Sequence, residues 1–288
     1  MSYVEVTDKN FKMDKFLVKT MHDCKKRIDA KWDIAIAVDG DEGCGKSNLA
    51  IGAAYYMAWQ LGKKLTVDNI FFDINKLMNF AATARKEVLV FDEAALGVMS
   101  SDFQNQAQKK LIKMLITSRK NGNIFFFVMP EFFGMNKYVA YHRTIGLLHA
   151  YSPDGISRGS FTWHGKSKKN ATYLKCKKGE KTYKNYNYVG SFPQGYENLI
   201  DYEAYERKKD KAILSICDGT EKVDHNLQKL EDLKYLISNC PLCSQKDMAT
   251  YLGVTDRTLR RWKTKNSKSE ESGIADLHSK KPTGGELI

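Results

Sequence analysis

The sequence predicts an α/β fold: a mainly parallel sheet flanked by helices, then a basic β-hairpin extension and a small all-α helix-turn-helix domain. Three observations predict it. Continuous apolar runs such as Val88–Phe91 and Ile124–Met129 alternate with stretches of helical periodicity, as in sheets buried on both faces. Residues 158–184 carry nine basic side chains and one acidic one, a net of +8, among aromatic residues. Residues 245–262 have the spacing of two short crossing helices. The 288 residues suffice for one mid-sized domain plus an appendage. With 42% hydrophobic and 28% charged residues, wholesale disorder is excluded. A net charge of +12 favours a polyanionic partner, nucleic acid ahead of an anionic membrane.

In chain order, Phe16, Leu17, Met21, Cys24 and Ile28 give residues 11–30 the spacing of an amphipathic helix. WDIAIAVDG, from Trp32, reads as a strand leading into glycines, and Lys46 to Gln60 as a helix with Leu49, Ile51, Ala54 and Met57 inward. KLTVDNIFF (64–72) is a strand or extended turn, and a helix follows from Ile74. Val88-Leu89-Val90-Phe91 is a buried strand. Residues 103–120 return to helical spacing until Asn121-Gly122 stops them, and the strands NIFFFVM and TIGLLHAY complete the core. These elements form a core over 1–155. The lysine-rich segment reads as hairpins in an extension over 156–216, whose residues 197–215 are helical. A helix-turn-helix domain over 217–266 and a polar, disordered tail over 267–288 follow. Six sparse cysteines fit a reducing compartment, and the start of the chain lacks a signal-peptide pattern, so a cytoplasmic protein that is not secreted is expected.

Gly40-Asp41-Glu42-Gly43-Cys44-Gly45-Lys46-Ser47 satisfies G-x-x-x-x-G-K-[ST] between a predicted strand and a predicted helix. Glycines let successive backbone N–H groups face one centre, and the helix adds the positive end of its dipole, so a phosphate belongs there. Candidate nucleotide-binding residues are Gly40, Gly43, Cys44, Gly45, Lys46, Ser47 and Asn48. Lys46 places a charge on the β- and γ-phosphates, and Ser47 supplies a hydroxyl to Mg²⁺. About forty residues on, Asp92-Glu93 ends the apolar strand where ligands of open α/β sheets bind. Asp92 is the second metal candidate, and Glu93 the base that orients and deprotonates the attacking water.

These residues resemble the Walker A and Walker B elements of the additional-strand, catalytic-glutamate P-loop ATPases, over roughly residues 30–150. Leu115-Ile116-Thr117-Ser118-Arg119-Lys120-Asn121, the apolar strand after it, Pro130 and Tyr141-His142-Arg143 look more specifically like the FtsK/HerA branch, and within it like viral genome-packaging ATPases. The zonula-occludens-toxin-like motor core is similar too. The resemblance implies ATP and Mg²⁺ as cofactors, a homo-oligomeric ring, double-stranded DNA as substrate, a viral portal or capsid protein as docking partner, and a host-cytoplasm location for a viral protein. Arg119 matches by position the basic residue that acts across a subunit boundary; Lys120 and Arg143 remain rivals. In one departure, Phe125–Met129 ends without the polar residue such ATPases place there, which leaves the γ-phosphate sensor unassigned.

In the C-terminal pattern Ala249 suits a helix crossing, Gly253 the turn, and Val254, Leu259 and Trp262 a miniature core. Arg257, Thr258, Arg260, Arg261 and Lys263 then reach phosphates or base edges. Such three-helix modules also bind proteins. The single Cys240-Pro-Leu-Cys243 pair lacks the four ligands of structural zinc. Two functions compete with a translocating motor: a DNA-binding replication or transcription factor switched by ATP, and a phage assembly ATPase. The latter usually carries a membrane anchor, and no apolar run here nears the ~18 residues of a span.

Overall fold

The computed structural model describes residues 3–6, 11–92, 101–193, 195 and 198–217. The chain divides into compact units at 1–216 and 217–288, and the described residues fall almost wholly in the first. Outside them lie Glu93, the helix-turn-helix with Arg257, Thr258, Arg260, Arg261 and Lys263, the Cys240/Cys243 pair and the polar tail.

Two short strands, β1 (Tyr3–Glu5) and β2 (Lys12–Asp14), pair antiparallel ahead of α1 (Lys15–Asp29). The first helix therefore starts later than its periodicity alone suggests. Asp14 decides this: its carboxylate accepts from the Phe16 and Leu17 amides, which would otherwise lack partners. There follow β3 (Ile34–Gly40), α2 (Lys46–Gln60), the two-residue β4 (Ile70–Phe71), α3 (Ile74–Thr83), β5 (Val88–Asp92) and α4 (Ser101–Thr117). Then come β6 (Ile124–Val128), a π-helical turn at Tyr138–Arg143, β7 (Thr144–Tyr151), β8 (Ser160–Gly165), α5 (Lys166–Lys177), β9 (Tyr188–Ser191) and α6 (Tyr202–Cys217).

Seven strands form one sheet in the order β4-β5-β6-β3-β7-β8-β9, parallel from β4 to β7 and antiparallel at β8 and β9. Alternation along the buried strands splits the core in two. Ile34, Ile36, Val38, Val90, Phe126 and Leu148 face α1 and α2; Ala35, Ala37, Leu89, Phe91, Phe125 and Leu147 face α3, α4 and α5. Ala35 and Ala37 pair in register with Phe125 and Phe127, so small side chains stand beside large ones across the layer.

The lysine-rich segment corrects the expected hairpin extension. Its strand β8 hydrogen-bonds to β7 inside the main sheet, and residues 166–177 are a helix. Lys169, Thr172 and Tyr173 recur at helical spacing on the buried side, a stripe that a lysine disguises in the sequence. The Lys169 ammonium caps the Ala140 carbonyl of the π-helical turn and lies 2.6 Å from Asn170 Oδ1. Burial pushes its pKa down to about 7.

The β7–β8 pair leaves no room for a methyl group at Gly146, where a Cβ would stand 2.0 Å from the Trp163 ring. Gly146→Ala is expected to cost about 1–3 kcal/mol by overpacking. An unchanged melting temperature would refute that packing.

Candidate functional site

The glycine-rich loop follows from how β3 ends. At Gly40 the backbone passes against β7 with φ +142°, and a Cβ there would lie 1.9 Å from the Ala150 carbonyl oxygen, so only glycine fits. Gly45 caps α2 in the left-handed region at φ +94°, with no side-chain cap on the first turn. The amide end of α2 therefore faces the loop with no side chain capping it, as an anion site requires. Lys46 Nζ donates to the Gly40 and Asp41 carbonyls, each at 2.9 Å, and so lies over the loop. Cys44 is packed inward, its Sγ 2.7 Å from the Asp41 carbonyl and 3.3 Å from that of Ala150, and burial pushes its thiol pKa up despite the Lys46 charge.

Two strands away, Asp92 ends β5 with 1% of its surface exposed. Ser47 Oγ, on the first turn of α2, donates to Asp92 Oδ2 at 2.7 Å. The Tyr205 hydroxyl of α6 donates to the same oxygen at 3.1 Å, and burial together with the Asp92 charge pushes the phenol's pKa up. These are hard oxygen donors: a hydroxyl and a carboxylate. Such a set suits Mg²⁺, which takes one or two protein oxygens, phosphate oxygens and water, and not a metal that needs a full protein cage. Among the described residues no group of three or more His, Cys, Asp or Glu could hold a metal.

A cavity of about 370 Å³ opens over the loop. Glu42, Gly43, Gly45, Lys46, Ser47 and Asn48 line one side, and Pro130 and four residues of α6 the other. Of the sequence candidates, the structure brings Gly43, Gly45, Lys46, Ser47 and Asn48 to this cavity, while Gly40 and Cys44 shape the loop beneath it. Asp92 reaches the site through Ser47. The α6 residues carry no motif, so sequence reasoning misses them.

Behind the loop lies a second feature without a sequence signature. The fully buried Asp39 directly precedes Gly40 and accepts from the Phe132 amide (2.9 Å) and the Tyr183 hydroxyl (2.6 Å), while His149 Nδ1 lies 3.0 Å from its other oxygen. The His149 and Tyr183 rings stack at 3.6 Å. His164 sits beside this cluster between Thr162 Oγ1 and the Asn185 carbonyl, and burial holds its pKa down to about 4. The network fixes the point where β3 gives way to the loop.

Arg119 is at the opposite end of the strands from the loop. It is exposed in the short turn after α4, with Lys120 beside it. That turn is held at the amino ends of the strands: Asn121 Nδ2 donates to the Ala81 carbonyl, and the Asn123 carbonyl accepts from the Ile34 amide at the start of β3. At ~3.3 Å per residue, β3 separates that edge from the loop by about 20 Å. Arg143 is committed elsewhere, to Asp33 and to the Leu115 carbonyl (3.0 Å).

Searches against protein-family models and curated proteins return no match. Among solved structures, the replication initiator DnaA bound to AMPPCP and single-stranded DNA aligns at a TM-score of 0.31 and 13% identity, over 95% of this chain and 92% of that one. AMPPCP-bound DnaA from Aquifex aeolicus aligns at 0.32 and 15%, over 95% and 94%. At these scores the likeness carries no argument about function.

Since His164 accepts a proton more readily unfolded, near its ordinary 6.5, than folded, near 4, stability falls as pH drops through that window. The loss amounts to roughly 3 kcal/mol at most. His164→Gln is expected to flatten the acid side of the stability profile in denaturant titrations. A slope equal to that of the unmodified chain would contradict the assignment.

Proposed function

We propose that the chain is a Mg²⁺-dependent P-loop ATPase that moves double-stranded DNA as an oligomeric ring, the work of a viral or mobile-element genome-packaging motor. One observation carries the ATPase reading: the Ser47–Asp92 hydrogen bond at 2.7 Å, which joins the helix after the glycine loop to the carboxylate strand across the inserted strand β6. That bond ties the carboxylate to a cavity lined by the Ser47 hydroxyl, the uncapped helix terminus and the Lys46 ammonium.

The chemistry follows from these groups. The loop amides and Lys46 bind the phosphate chain and balance its charge. Ser47 and Asp92 would hold Mg²⁺, which when bound draws charge from the β- and γ-phosphate oxygens. Glu93, next to Asp92 in the chain, is assigned to orient the attacking water and take its proton. Arg119 lies too far from its own loop to touch a phosphate there. Its role as a finger that neutralises charge on the transferring phosphoryl therefore requires a neighbouring copy, in a ring or at least a dimer. Ring formation sets each copy's exposed Arg119 edge against another's loop.

DNA contact is assigned to the exposed cations Lys166, Lys175, Lys178 and Lys184, with the helix-turn-helix side chains as a second grip. Lys169 is withheld from DNA by burial, Lys168 by its bond to the Tyr186 carbonyl and Lys181 by its ion pair with Glu131. Movement would come from different DNA affinities in different nucleotide states. Among the described residues no helix is long and apolar enough to cross a membrane.

Duplex DNA is expected to stimulate ATP hydrolysis, and Lys46→Ala to abolish it. Arg119→Ala should lower the rate by about 10³-fold or more. Mixing the Lys46→Ala and Arg119→Ala proteins should restore part of the activity, because each mixed interface can pair an intact loop with an intact finger. Hydrolysis indifferent to DNA, with a footprint at one defined site, would select the ATP-switched regulator instead. No recovery on mixing would remove the trans-acting role of Arg119.

A further inference from the structure

In sequence, α6 is only a charged helix. In the structure Tyr202, Tyr205, Glu206 and Lys209, spaced i, i+3, i+4 and i+7, all line the cavity above Lys46 and Ser47. A helix ordinarily spends such a stripe on the apolar core. Here it presents phenols, a carboxylate and an ammonium to the phosphate loop. Two attachments hold it in place. Tyr205, buried with its ring 5.8 Å from that of Phe72, donates to Asp92. Lys208 Nζ donates to the Val67 and Ile70 carbonyls at 2.8 and 2.6 Å. Lys208 is thus committed to the backbone. Lys209, one residue on and half-buried, lines the cavity with its Nζ 5.9 Å from the Tyr205 ring centroid, and among the described residues no ion pair involves it.

We propose that α6 is part of the nucleotide site, with Lys209 a second cationic contact to the terminal phosphate and Tyr205 a positioning residue that holds Asp92 against Ser47. This rests on the P-loop reading of Lys46, Ser47 and Asp92. Strand β6 ends at Val128 and is followed by Met129 and Pro130, none of which offers a phosphate a side-chain hydrogen bond, and Pro130 lines the cavity beside α6. The helix supplies what that strand end lacks. Charge balance points the same way. Glu42 and Glu206 also line the cavity, so without Lys209 two carboxylates would oppose the single ammonium of Lys46 beside a polyanion. Lys46 is tied to the loop that cradles the phosphate chain, and Lys209 approaches from the opposite wall. It should therefore discriminate a triphosphate from a diphosphate.

The test measures equilibrium binding of ADP and of a non-hydrolysable ATP analogue to the full chain, with Mg²⁺ and with EDTA, for the unmodified protein and Lys209→Met, Lys209→Arg, Tyr205→Phe and Lys46→Ala. Lys209→Met should weaken the ATP analogue about tenfold, the scale of one charge-assisted contact, and ADP by less than about twofold. Lys209→Arg should recover most of the loss. Tyr205→Phe should leave binding in EDTA unchanged and reduce the gain from Mg²⁺ several-fold. An unchanged ratio of analogue to ADP affinity in Lys209→Met overturns the proposal. Should Tyr205→Phe fail to fold, the Lys209 variants, which alter a half-buried helix surface, decide alone. Lys46→Ala binding as tightly as the unmodified chain would refute the P-loop reading itself. Loss in Lys46→Ala with an unaffected Lys209→Met refutes only the role of α6.

Discussion

The hydrogen bond from Ser47 to Asp92 is the constraint on which the rest of the site depends. It spans three strands, from the helix behind β3 to the end of β5, and it forms only if β6 lies between them in the observed register, with Val128 level with both Val38 and Asp92. A one-residue slip in either pairing would turn Asp92 to the other face of the sheet and leave a carboxylate in the core with no donor. The alternation of large and small side chains across the alanines of β3 and the phenylalanines of β6 enforces that register. Apolar packing thus acts on function by fixing where a single oxygen atom stands.

The loop obeys a second constraint. Gly40 must pass within contact of the Ala150 carbonyl, and Asp39 just before it is tied to β7 through His149, to the segment after β6 through the Phe132 amide, and to residue 183 through a phenol. A buried carboxylate with three donors is stable only while all three are present. The cluster therefore joins distant parts of the chain at the root of the glycine loop. The loop itself needs freedom only from Asp41 onward.

Much of this was legible in the sequence. The eight residues Gly40–Ser47 need a strand before them and a helix after, and the flanking patterns supplied both. Apolar runs marked β3, β5, β6 and β7 because a strand covered on both faces has no polar alternation to hide it. The failures have physical causes. Helix α5 went unrecognised because one of its buried positions is Lys169, a cation satisfied by backbone and amide oxygens and invisible to any hydrophobic pattern. The role of α6 could not be read because Tyr205 meets Asp92 across 113 residues, and a stripe of tyrosine, glutamate and lysine looks like a solvated face. His149 and Tyr183 reach Asp39 from 110 and 144 residues away, through contacts that only the sheet order creates.

Every assigned role depends on a triphosphate seated between the loop and α6, and hydrogen exchange of the full chain with and without Mg²⁺ and an ATP analogue tests this most directly. The amides of residues 42–48 should exchange more slowly when nucleotide is present, with a second slowed segment at residues 202–209. Unaltered exchange in both segments at saturating nucleotide would contradict it.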